Sequence, residues 1–143
     1  MAYSTEADLK ERVDEALLIQ LTDRSGSGVV DTALVSAAIE DADALINGFI
    51  SPVYQVPLSP VPRIVKEYSA SIAIYKLHLY RSVEGPAWKD AYKMAISFFS
   101  LVGERKVALE GVVDKPSPSG VLASSVGYTA EERKFSRTKL SEW

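Results

Sequence analysis

The sequence predicts an all-α protein: a small bundle of about four helices in a domain spanning residues 1–109, followed by a long, mostly irregular C-terminal tail over 110–143. Three observations predict it. Apolar residues recur at i, i+3 and i+4 spacing in four separate stretches, the period of a helix that buries one face. Prolines and glycines fall between those stretches and mark their limits. After Gly103 the period stops, and Pro, Ser and Gly punctuate the chain up to Trp143.

The first helix opens at "STEADLKERV". Thr5 or Ser4 can cap it, Thr5-x-x-Asp8 approximates a capping box, and Glu6 and Asp8 complement the positive end of the helix dipole. Leu9, Val13, Ala16, Leu17 and Leu21 then give residues 5–21 one apolar face. "DRSGSG", residues 23–28, carries no period and reads as a flexible connector. It shares only composition with a phosphate-cradling loop, because the Gly-Lys-Ser/Thr ending is missing.

Asp31 is a natural cap for the second helix, in which Leu34, Ala38, Ala42, Leu45 and Phe49 form a stripe that Val35, Ile39, Ile46 and Ile50 widen. Ser36, Glu40, Asp43 and Asn47 fall on the opposite side, which predicts a polar, solvated face. Next comes "SPVYQVPLSPVPR", residues 51–63, with four of the seven prolines: Pro52, Pro57, Pro60 and Pro62. Each fixes φ and disfavours helix at the residue before it, so the segment should be an extended, stiff strap that sets where the next helix begins.

Pro62 reads as a first-turn proline of the third helix, "RIVKEYSASIAIYKLHLYR". Ile64, Tyr68, Ile72, Tyr75 and Leu79 make one stripe, Ile74 and Leu77 add apolar surface elsewhere, and Ser69, Ala70, Ser71 and Ala73 are small enough for close approach. Together these predict the central helix. The fourth helix starts at Gly85-Pro86 and keeps its period through Ala87, Trp88, Ala91, Ala95, Phe98, Phe99 and Val102 to Gly103, a plausible C-cap.

At 143 residues, 47% hydrophobic and 24% charged, the chain is the size of one domain with its own core. Sixteen Lys and Arg against nineteen Asp and Glu leave a formal charge of -3, which gives no global attraction to phosphate backbones or anionic membranes. No helix is rich enough in Lys and Arg to read DNA. The lack of cysteine excludes disulfides, thiolate metal sites and thiol catalysis. No apolar run suits a signal peptide or a membrane span, so a soluble protein, cytoplasmic where it is made, is expected.

The lone histidine, His78, cannot form a multi-histidine metal site and reads as a structural or surface residue. Of Glu40, Asp41 and Asp43, only Glu40 and Asp43 share a helix face, and a solvated face is expected there, not a metal cluster. No catalytic, metal or cofactor site is expected, and the chain is read as no enzyme. The tail ends differently. "RKFSRTKLSEW", residues 133–143, sets Arg133, Lys134, Arg137 and Lys139 around Phe135, Leu140 and Trp143. Aromatic and Arg anchors dominate binding at protein interfaces, so this segment reads as a partner-binding one, with a solubilising tail carrying incidental aromatics as the other reading.

The order of "YSTEADLKERV", "LIQLTD", "VDTALVSAAIEDADALINGFI", "YQVPL", "VPRIVKEYSASIAIYKLHLYR", "KDAYK", "GERKVAL" and "FSRTKL" resembles the small head-tail connector proteins of Mu-like phages. That family looks like the helical adaptor proteins beneath the portal of tailed phages. The chain departs from it in carrying Pro52 and Val53 before Tyr54, where the family often has an arginine. The resemblance implies a structural neck protein of the virion, assembled in the host cytoplasm as a homo-oligomeric ring on the portal protein. It would extend the DNA channel without binding DNA specifically and present a surface to the next neck or tail protein. Arg133, Phe135, Arg137, Leu140 and Trp143 would then face the portal, and Tyr54, Pro57, Leu58 and Arg63 would be subunit-interface candidates. The alternative is a small helical regulator of phage origin that binds another protein and forms no ring.

Overall fold

The computed structural model describes residues 2–116. Five helices follow one another: α1 (Glu6–Lys10), α2 (Glu15–Thr22), α3 (Thr32–Ile50), α4 (Arg63–Arg81) and α5 (Pro86–Gly103). Among the described residues there is no strand, only one isolated antiparallel bridge between Tyr54 and Asp114.

The continuous first helix expected over residues 5–21 is two helices. Both halves of the Thr5/Asp8 capping box form, but α1 stops at Lys10. There the Arg12 guanidinium donates to the Asp8 carbonyl at 2.8 Å, satisfying an acceptor that a continuing helix would use. Asp14 then starts α2. The buried series Leu9, Val13, Leu18, Leu21 contains a five-residue step, so the core lies under Leu18, and Ala16 is exposed.

The connector at 23–28 is organised by a single carboxylate. Asp23 accepts the backbone N–H groups of Ser25 (3.1 Å), Gly26 (2.9 Å), Ser27 (3.1 Å) and Gly28 (2.7 Å). Gly26 and Gly28 sit at φ 75° and 73°, where a Cβ would be strained. These N–H donors, Gly28 foremost, lower the Asp23 pKa to about 2. Asp31 caps α3 as expected, accepting from Ala33 and Leu34 N–H.

α4 is the central helix, in contact with each of the other four. Its buried residues include Val65, Ser69, Ala70, Ala73, Ile74 and Leu77; of the expected stripe Ile72 is fully buried, while Ile64 and Leu79 at its ends are exposed. The small residues decide this, since they let α3 and α5 close on the helix. Tyr68 and Tyr75 fill the flank toward α5, Tyr75 stacking on Tyr92 at 4.5 Å and Tyr68 meeting Phe98 and Phe99 at 5.1 and 5.7 Å.

The strap between α3 and α4 is less extended than expected. Val53 and Tyr54 N–H both return to the Ile50 carbonyl, and the Val56-Pro57 and Ser59-Pro60 bonds are cis. Pro62 is the N-cap of α4 in extended conformation, one position before the first turn. Gly103 does not end α5 by a left-handed turn; that conformation falls on Arg105 at φ 61°. Gly103 lets α5 meet α3, for a Cβ there would lie 2.6 Å from the Phe49 carbonyl oxygen.

Candidate assembly surface

The strap is held from two directions, and this decides which of its residues reach the surface. From the N-terminal side, the Tyr3 hydroxyl bonds the Asn47 side chain and accepts Leu58 N–H at 3.0 Å. From the far side, the Tyr54 hydroxyl accepts Leu109 N–H at 2.8 Å, Lys115 N–H donates to the Val53 carbonyl at 2.7 Å, and Lys115 Nζ donates to the Ser51 carbonyl at 2.9 Å. The chain beyond α5 thus lies back along the start of the strap.

Of the four strap residues expected at a subunit interface, Tyr54 and Leu58 have their side chains fully buried within the protomer's own core. Pro57 and Arg63 are exposed, Arg63 paired with Glu67 at 3.0 Å. Arg133, Phe135, Arg137, Leu140 and Trp143 lie outside the described residues.

Asp43 corrects the solvated acidic face expected on α3. It is 8% exposed, accepting Tyr3 N–H at 3.0 Å and the Ser69 hydroxyl at 2.8 Å. Ser69 donates its one O–H to Asp43, so the contact of 2.8 Å between the two serine hydroxyls is a donation from Ser4. Burial raises the Asp43 carboxyl above its ordinary value, against the opposing bonds from Tyr3 and Ser69. Glu40 and Asp41 are exposed as expected, and Asp41 accepts the Tyr80 hydroxyl.

A second buried carboxylate, Asp8, ties α1 to α4 through Lys66 Nζ at 3.0 Å. Burial alone would raise its pKa; the bonds from Lys66 and Thr5 outweigh burial and hold it below the ordinary value. These are structural acids. In each, both carboxylate oxygens accept at least one donor.

His78 is structural and not a surface group. It is 5% exposed under the turn from α4 to α5, where a Cβ on Gly85 would lie 2.9 Å from its ring. Neither ring nitrogen has a hydrogen-bond partner among the described residues. Burial pushes its pKa down, favouring the neutral imidazole.

Two surface features expose apolar side chains that the sequence reading did not place at the surface. On α5, Ala87, Ala91, Met94, Phe98 and Leu101 form a line separate from the buried Ala95, Phe99 and Val102. Met94 is 64% exposed and Leu101 40%. The signal was available: α5 has more apolar positions than one buried face holds. Where this line passes Phe98, it borders a groove of about 470 Å³ lined by Ile64, Glu67, Phe98, Val107 and Glu110 among others. Three segments distant in sequence build the groove, so no local pattern announces it.

A family model described as "Bacteriophage Mu, Gp36" matches residues 3–124. The chain belongs to the bacteriophage Mu Gp36 family. It is similar to the Mu-like prophage FluMu protein gp36 of Haemophilus influenzae, 26% identical over 129 residues, 87% of this chain and 89% of that protein. It is also similar to gene product J of Escherichia phage Mu, 32% identical over 79 residues, 54% of this chain and 56% of that protein. In this Gp36-family chain all five helices, the strap and both tyrosine contacts lie inside the matched residues, and the basic aromatic segment 133–143 lies beyond them.

Proposed function

We propose that the chain is a non-enzymatic structural protein of the virion neck, a head-tail connector that forms a ring on the portal, extends the DNA channel and joins the next neck or tail protein. The observation that carries this reading is membership of a phage Mu family across the whole helical domain. The order of sequence features supports it through its resemblance to neck connectors, and the exposed line on α5 supports it by offering neighbouring copies an apolar face that shares a groove with Arg63. Net negative charge suits a conduit that must not hold DNA.

Portal-bearing heads mixed with the purified chain test the proposal. The full chain is expected to cosediment with the heads and to appear as a ring on the portal by electron microscopy. Deleting residues 121–143 should abolish attachment while leaving the helices intact. Truncating Phe135, Arg137 or Trp143 to Ala should weaken it by about 2 kcal/mol per site, the usual loss at an interface anchor, multiplied in effect by the number of copies. A full chain that stays in the supernatant overturns the connector reading.

A further inference from the structure

We propose that the groove between the start of α4 and residues 107–110 is the docking site of the chain's own basic aromatic segment, residues 133–140. Its floor is apolar, with Ile64 39% exposed and Phe98 and Val107 half-buried. Its charged lining consists of two carboxylates, Glu67 and Glu110, and one cation, Arg63, already paired with Glu67. The occupant should therefore be a peptide that brings apolar side chains and excess positive charge. Residues 133–140, "RKFSRTKL", carry four cations and no carboxylate around Phe135 and Leu140.

The tether makes this segment the favoured occupant. Lys115 is bonded to Val53, and the neighbouring Tyr54 holds Leu109 of the groove, so the chain leaves the described domain beside the groove. Residues 117–132 then separate Pro116 from the segment, a length of chain that would span roughly 20 Å root-mean-square if it behaved as a random coil. A peptide on such a linker has an effective concentration in the millimolar range, so a weak individual affinity suffices. The docked state is a rest position from which a binding partner must displace the segment. This goes beyond the connector reading and does not depend on it, because it concerns the isolated chain.

The native chain has no cysteine, so a single Ala108→Cys substitution at an exposed groove residue accepts one nitroxide label. In the isotope-labelled full chain, the expected result is loss of most amide signal intensity across residues 133–140. A Glu110→Lys substitution should restore much of that intensity. A label at Ser27, in the Asp23 loop, should leave the segment unaffected. Unchanged intensity with the label at residue 108 overturns the proposal, as does equal loss from both label positions. Loss seen only when label and isotope reside on different, mixed chains overturns the assignment to the same chain and gives the groove to a second copy.

Discussion

The Tyr54 hydroxyl accepts the Leu109 backbone N–H at 2.8 Å, a buried bond between residues 55 apart in sequence. The Tyr3 hydroxyl accepts Leu58 N–H at 3.0 Å across the same separation. In each case a phenol from one segment satisfies a backbone donor in a segment that no helix or sheet ladder serves. Irregular backbone can be buried only on this condition.

Tyr54→Phe keeps the ring and removes the acceptor, leaving Leu109 N–H buried and unpaired. The expected loss is about 1–3 kcal/mol. It should appear as a lower denaturation midpoint, with hydrogen-exchange protection falling most around Leu109. A variant as stable as the parent, with Leu109 still protected, would mean that water or another group serves that donor.

Two helical glycines should respond to alanine in opposite directions. At Gly48 a Cβ meets nothing within 4 Å, so Gly48→Ala should stabilise by about 0.5–1 kcal/mol through helix propensity. At Gly103 it would lie 2.6 Å from the Phe49 carbonyl oxygen, so Gly103→Ala should destabilise by about 1–3 kcal/mol as α3 and α5 separate. Thermal melts of both variants decide the matter, and a Gly103→Ala variant at least as stable as the parent would refute the close-approach role of Gly103.

Stability should fall as pH drops below 6.5 because of His78. Its folded pKa is depressed, so between the folded and unfolded values the unfolded state binds more protons, and lowering the pH favours unfolding. His78→Gln should flatten that part of the profile whatever it does to absolute stability. Denaturant titrations on either side of pH 6.5 give the slope, and an unchanged slope in the variant would assign it to another group.

Asp43→Ala should destabilise by about 1–3 kcal/mol, since it strips the acceptor from Tyr3 N–H and Ser69. Glu40→Gln, one helical turn away and exposed, should stay within about 0.5 kcal/mol of the parent. Equal effects of the two would restore the solvated face for both residues.

The pairing of Glu40 with Asp43 shows where sequence reading stops. Periodicity placed both on one side of α3 correctly, but it says nothing about what covers that side. Asp43 is covered by Tyr3 and Ser69, 40 and 26 residues distant. α3 was legible through its period and its Asp31 cap, α5 through its period and its first-turn Pro86, and α4 through its excess of apolar and small residues. The ends of the expected α4 stripe, Ile64 and Leu79, were misplaced because Ser69, Ala70 and Ala73 count little as hydrophobes yet are buried where neighbouring helices close on α4. The break after Lys10 was illegible because Arg12 closes it from outside the helical pattern. Of the assembly surface, Pro57 and Arg63 are exposed where an interface residue must be, while the α5 line and the groove needed the fold to exist before they could be seen.

The two clasps on the strap also set an order of events during synthesis. A nascent chain that has emerged only as far as Arg81 contains Tyr54 but not Leu109 or Lys115, so the start of the strap has nothing to close on. The domain can finish only after residue 115 has left the ribosome. Until residue 109 has emerged, the Tyr54 hydroxyl is without its native partner.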